Sequence, residues 1–373
     1  MRWSSLPSAL VASAALLAHT VSAQTWSSCN PLTSTSCPAD TALGMSINID
    51  FRKGEVNSFA ASGSPTYEDD GVKFTVSQSG DAPQLASLFY IMFGKVEITL
   101  KAAPGAGIVS SFVLQSDDLD EIDMEWLGAE PNQMQSNYFG KGQTTTYNRG
   151  QFHDVSNTQS EFITYTVDWT QDRIVWLVGG TAVRTLAYDD AEDGQYPQTP
   201  MQVKFGAWSG GDSSNSAGTI KWAEGPTDYT QGPFSMMVQS IVITDYSTGS
   251  KYKYTDTSGS WQSIEAVDGE VNGNADGNSV TVTATAVGTT ATANVPVGIV
   301  KDDSSATSTQ TGWPWVATAS ASTGAIPSGW TMNSEGKITP GPLATPFPPA
   351  QRLTHSTLEI VLDNTILCVA LFS

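Results

Sequence analysis

The run Asp120-Glu121-Ile122-Asp123-Met124-Glu125-Trp126 places carboxylates at every second position from Glu121. Successive side chains of a β-strand point to opposite faces. Glu121, Asp123 and Glu125 therefore share one face, while Ile122, Met124 and Trp126 point into a core. Like charges side by side are a liability in a strand with only a structural role. The same row suits one chemistry. Cleavage of a glycosidic bond with retention needs two carboxyl groups about 5–5.5 Å apart, one to attack and one to donate a proton. At about 3.3 Å per residue, Glu121 and Glu125 have Cα atoms roughly 13 Å apart, which two glutamates leaning together on a concave sheet can bridge. Asp123 can hydrogen-bond one glutamate and help keep the acid/base partner protonated. A solvated acidic edge is the structural alternative. A calcium loop starting at Asp118 fails, because its sixth position must be glycine and is Asp123. No metal site is expected.

Such a row needs a sheet to carry it. Short β-rich runs separated by turn signals recur from Leu43 to about Ile264. They are Ser46–Phe51, Val72–Ser77, Lys95–Lys101, Ile108–Gln115, Glu121–Leu127, Phe162–Trp169, Arg173–Val178, Ala182–Leu186, Gln202–Trp208, Thr219–Trp222 and Val238–Tyr246. Gly179-Gly180 supplies the positive φ values of a two-residue hairpin loop. No long helical periodicity is present, so the expected fold is an all-β, two-sheet sandwich.

Composition narrows the function. With 17 Lys+Arg against 37 Asp+Glu the net charge is 17 − 37 = −20, which disfavours nucleic acid and anionic membranes as partners. His153 is the lone histidine of the expected domain, so a multi-histidine zinc site is excluded and a Ser-His-Asp triad is not expected. No glycine-rich phosphate loop occurs, and no cofactor is expected.

Residues 1–23 read as a secretory signal: Arg2, an apolar stretch from Ala9 to Ala18, then Val21-Ser22-Ala23 before the cut. Secretion permits a disulfide, and Cys29 with Cys37 is the candidate pair. The domain is expected over 24–265. Residues 266–373 read as a disordered, low-complexity Ser/Thr/Ala/Pro-rich stalk ending in a hydrophobic tail. Val280-Thr281-Val282-Thr283 alternates, which leaves one more β-layer as the alternative there. The tail Leu358–Phe372 resembles a lipid-anchor signal but is interrupted by Glu359, Asp363 and Asn364.

The Glu-x-Asp-x-Glu segment resembles the signature of glycoside hydrolase family 16. The resemblance extends over roughly Cys29 to Tyr246 and is closest to the fungal Crh transglycosylases that join chitin to β-glucan. Cys29-Asn30-Pro31 with Cys37-Pro38, Asn137–Gly142, Tyr165–Trp169, Lys204–Asp212 and Gly218–Ala223 carry it. It implies a concanavalin-like jelly roll and a retaining mechanism. It further implies Glu121 as nucleophile, Glu125 as acid/base, Asp123 as the assisting carboxylate, and Lys204, Trp208 and Thr219 in the chitin-binding cleft. Glu224 departs from the pattern, standing where a glycine is expected.

Sugar rings have apolar faces on which aromatic side chains stack. Trp208, before Gly210-Gly211, is expected as an exposed platform and Trp126 as core. Tyr138, Tyr147, Phe152 and Trp169 are open between core and cleft. Arg149 is open between sugar hydroxyls and an ion pair. Tyr138 and Arg149 join the substrate-binding candidates. The expectation is a secreted, monomeric cell-wall transglycosylase acting on chitin and β-glucan, membrane-bound only through an added lipid anchor. A β-glucan or chitin hydrolase and a non-catalytic carbohydrate-binding wall protein are the alternatives.

Overall fold

Phe59, Phe74, Phe89 and Phe205 meet edge to face in the middle of the molecule, with ring centroids 5.4–6.0 Å apart. Such buried aromatics each contribute about 1.5–3 kcal/mol by leaving water. They fill the space between two sheets in the computed structural model, which describes residues 27–276, 281–284, 330–332 and 338–340. The leader, most of the stalk and the hydrophobic tail lie outside the described residues.

One sheet has seven strands in the order Gln151–Asp154, Gln133–Phe139, Glu121–Leu127, Ile108–Ser116, Met201–Ser209, Gln84–Ile91 and Phe59–Ser62, all antiparallel. The facing sheet has nine strands. Its main path runs Thr181–Ala187, Arg173–Val178, Ile163–Trp169, Gly94–Lys101, Phe234–Asp245, Ser46–Asp50, Thr281–Ala284. Gly71–Val76 joins Phe234–Asp245 and pairs in turn with Thr66–Glu68. The all-β jelly-roll sandwich expected from the sequence is the observed fold. The hairpin is also as expected: Val178 faces Thr181, with Gly179 and Gly180 at φ 56° and 79°. Cys29 and Cys37 are bonded.

Order continues past residue 265. Ile264–Val267 pairs with Lys251–Tyr254, and Asn274 donates to the carbonyls of Gly44, Asp245 and Ser247. Thr281–Ala284 lies parallel along Ser46–Asp50, the added strand that the alternation at Val280–Thr283 allows. A separate unit contains the pairing of Trp330–Met332 with Ile338–Pro340.

One expected strand is a helix. Ala217–Trp222 is α-helical, with the Ser216 hydroxyl accepting the Thr219 N–H at 3.1 Å as its N-cap. Thr219-Ile220 suggested a strand by β-branching, and six residues are too few for helical periodicity to register. The helix ends with Gly225 N–H returning to the Ile220 carbonyl at 2.8 Å, across Glu224 at φ 57°. That left-handed position explains the glycine expected there, since a Cβ is strained in it. Glu224→Gly should raise stability by about 0.5–1 kcal/mol, read as a higher midpoint in urea unfolding. A lower midpoint would show that the Glu224 side chain contributes more than the backbone strain costs.

Candidate active site

Register assembles the carboxylate face. On one side of Glu121–Leu127, Gln115 lies opposite Glu121, Val113 opposite Asp123 and Ser111 opposite Glu125. On the other, Phe139, Asn137 and Gln135 stand opposite the same three. Ile122, Met124 and Trp126 point into the core as the alternation requires, with Trp126 edge-on to Tyr165. All three carboxylates are buried.

Each glutamate is held by a two-step relay from neighbouring strands. Gln115 Nε2 donates to Glu121 Oε2 at 2.7 Å, while Gln115 Oε1 accepts from Lys204 Nζ at 2.8 Å. Ser111 Oγ donates to Glu125 Oε1 at 3.2 Å and accepts from Trp208 Nε1 at 3.1 Å. Asp123 shares a hydrogen bond with Glu121, and among the described residues no other donor reaches its oxygens. Two carboxyl groups bond only if a proton lies between them. Burial, then the charges of Glu121 and Glu125, hold the Asp123 carboxyl well above its usual range. Burial, then the Glu121 charge, push Glu125 to about 8 against the Ser111 hydrogen bond. At neutral pH Glu125 is therefore a protonated acid beside Glu121. Burial pushes the Lys204 ammonium down to about 8, against the pull of Glu121 and Asp117.

The other candidates divide. Lys204 is on the carboxylate face but buried, and its ammonium donates to Gln115 Oε1. Trp208 is a correction. It is fully buried and stacks at 6.1 Å on Trp222, so it does not form an exposed platform. Trp222 is the half-buried outer ring of that pair and hydrogen-bonds Gln135 at 3.2 Å. Thr219, three residues before it on the same helix face, bonds Ser216. Tyr138 is a second correction. It alternates with Asn137 and Phe139, faces the core, and accepts the Glu192 N–H at 3.0 Å. Trp169 is core too, donating to the Pro197 carbonyl. Arg149 lies 4.7 Å over Phe139 on the carboxylate face. Its guanidinium is committed to Gln195 and to the carbonyls of Gln143 and Thr146, so it braces the 140–150 loop. Tyr147 and Phe152 are 56% and 49% exposed, and Phe152 is opposite Gln135, which puts it at the rim of the active face.

Sequence reasoning missed Ser111, Gln115, Gln135 and Trp222. The alternation Val109, Ser111, Val113, Gln115 was a readable signal for the first two. Asp117, Asp118 and Asp120, just before the carboxylate row, form a buried lock. Asp120 accepts from Lys141 Nζ at 2.6 Å, Gln198 N at 2.8 Å and Thr199 Oγ1 at 2.9 Å, and Asp117 accepts from Tyr90.

Buried carboxyls make stability depend on pH. Burial raises Glu125 to about 8, Asp245 to about 7 and, with the Asp118 charge, Asp120 to about 6. Unfolded, such groups titrate near about 4. The folded state holds these protons more tightly, so their contribution is present below pH about 4 and lost as pH rises through about 4–8. Asp212 works oppositely. Burial alone would raise it, but the Ser214 N–H and the hydroxyls of Ser79, Tyr229 and Ser214 hold it below the usual range. Its contribution is present above pH about 4 and lost in acid. The melting temperature should peak near about pH 4 and fall by several degrees, in the order of magnitude expected for such shifts, by pH 8. Calorimetry across pH 3–9 checks this; a rise between pH 6 and 8 would contradict it.

Comparison with known proteins agrees with this geometry. The sequence pattern of Glycosyl hydrolases family 16 matches residues 53–224. "Crh-like protein 4" of Botryotinia fuckeliana is 60% identical over 335 residues, covering 88% of this chain and 89% of that protein. "Congo red hypersensitive protein 1" of Saccharomyces cerevisiae is 50% identical over 251 residues, which is 67% of this chain and 49% of that longer protein. The solved structure "Crh5 transglycosylase in complex with NAG" is 48% identical, with a TM-score of 0.62 over 64% of this chain and 99% of that one. By these matches and the buried Glu121/Asp123/Glu125 row, the chain belongs to glycosyl hydrolases family 16, among its Crh-like proteins.

Proposed function

We propose that this protein is a secreted cell-wall transglycosylase that cleaves β-1,4-linked chitin and transfers the cleaved chain to β-glucan. The observation that carries the reading is the split within the row: Glu125, raised to about 8, is an acid on the same face as Glu121. Glu121 attacks the anomeric carbon while Glu125 passes its proton to the departing glycosidic oxygen, leaving a covalent glycosyl-enzyme. Glu125, now a carboxylate, takes the proton of the acceptor hydroxyl as that oxygen attacks the anomeric carbon and the bond to Glu121 breaks. Asp123, hydrogen-bonded to Glu121, steadies the nucleophile and releases it after transfer. A 48% identical transglycosylase solved with NAG, the sugar unit of chitin, supports the donor. The aromatic rim of Tyr147, Phe152 and Trp222 supports a glycan lying across this face. The protein acts as a monomer in the wall, held to a membrane only if a lipid anchor is added.

The test incubates the purified protein with chitin oligomers, with and without a labelled β-1,3-glucan acceptor. Labelled hybrid product is expected. Shortened oligomers without hybrid would instead mark a hydrolase, and binding without any turnover a carbohydrate-binding wall protein.

A further inference from the structure

Glu121 and Glu125 lie on one strand, on one face, at nearly equal burial, yet the reaction proposed above gives them opposite protonation states. Their own strand breaks the symmetry through Asp123, which hydrogen-bonds Glu121. The neighbouring strands add to it. Ser111 connects Glu125 to the neutral indole of Trp208. Gln115 connects Glu121 to the ammonium of Lys204. An amide whose oxygen binds a cation is a stronger donor at its nitrogen, so the charge favours the ionised form of the group that amide touches.

Resting on the catalytic reading, we propose that Lys204, acting through Gln115, is the positioning residue that makes Glu121 the ionised member of the pair. The surrounding charges are consistent. On the same strand the Asp123 carboxyl hydrogen-bonds Glu121, and the Glu121 charge acts on Glu125. Gln115 on one flanking strand is neutral, as are Asn137 and Phe139 on the other. Arg149, from the 140–150 loop, acts on Asp123. Asp117 competes for the field of Lys204 but is engaged by the Tyr90 hydroxyl. The Lys204 ammonium and the Glu121 carboxyl interact through their charges. The family resemblance implies a different role for Lys204, direct sugar binding.

The readout is the acid limb of the kcat/KM–pH profile, which reports ionisation of the nucleophile in the free enzyme and stays clear of the limb near pH 8. Lys204→Met should move the acid limb up by about one pH unit or more, a roughly tenfold loss one unit below the wild-type limb. Lys204→Gln removes the charge but keeps a bond to Gln115, and should move it the same way. It carries the test if Lys204→Met does not fold. Lys204→Arg should keep the wild-type limb whatever its rate. In a Gln115→Met background the shift caused by Lys204→Gln should shrink, because the relay is already cut. An unmoved acid limb in Lys204→Gln, with KM alone raised, overturns the proposal and returns Lys204 to sugar binding. A full-sized shift in the Gln115→Met background overturns the relay. Failure of the catalytic reading itself shows separately, as turnover that survives Glu121→Gln.

Discussion

Glu121→Gln is expected to reduce transglycosylation by at least about 10⁴-fold while leaving glycan binding intact. The amide is nearly the same shape as the carboxylate it replaces. It can still receive the Gln115 N–H at the position of Oε2, and the fold around it has no reason to move. What disappears is the nucleophile, since an amide oxygen cannot form and release the glycosyl ester. A second consequence distinguishes this loss from general damage. Glu121 is one of three mutually repelling carboxyls, and its charge is a cause of the raised Asp123 and Glu125 values. Removing it should bring both back toward the ordinary range and raise the melting temperature at pH 7 by a few degrees, an order-of-magnitude figure. An inactive, binding-competent and slightly more stable variant is the expected result. Wall cross-linking at the wild-type level would sink the catalytic assignment and favour a lectin-like role.

The second large effect belongs to Glu125. With its carboxyl at about 8, wild-type kcat/KM should fall tenfold per pH unit above that value, because the proton for the leaving oxygen is gone. Lys204, also at about 8, loses its charge over the same range and steepens the fall. Glu125→Gln should lose about 10²–10⁴-fold on a chitin oligomer, whose leaving group needs protonation. On an aryl glycoside with an acidic nitrophenol leaving group the first step needs no proton, so the loss should be much smaller there. Equal losses on both substrates would contradict the acid/base role. Persistence of the full basic limb in Glu125→Gln would assign it to Lys204 instead.

The two roles were legible to different degrees. Which residues share the carboxylate face follows from period-two alternation over seven residues, a local property that Glu121–Leu127 keeps in the fold. The Gly179-Gly180 turn and the Cys29–Cys37 bond were legible for the same reason, since their partners lie within a few residues. Trp208 and Tyr138 were misjudged because aromatic type was weighed without knowing which side of the pleat each occupied. Trp208 is on the carboxylate face but covered by Trp222, which comes from a helix too short to leave a period in the sequence. Arg149 was an open choice, and its partners turned out to be backbone carbonyls of its own loop and Gln195.

The chemistry available to this protein is thus written in one heptapeptide, where spacing alone puts three acids in a row. The division of labour among them is not. It rests on Lys204 and Trp208, some eighty residues farther along the chain, arriving beside Ile108–Ser116 in the register that sets Lys204 opposite Val113 and Trp208 opposite Val109. That register brings a cation to one glutamate's relay and a neutral indole to the other's. Proton affinity in a buried site depends on charges and dipoles a few ångströms away in space. Sequence neighbours supply the carboxyl groups, and strand pairing supplies the field that tells them apart.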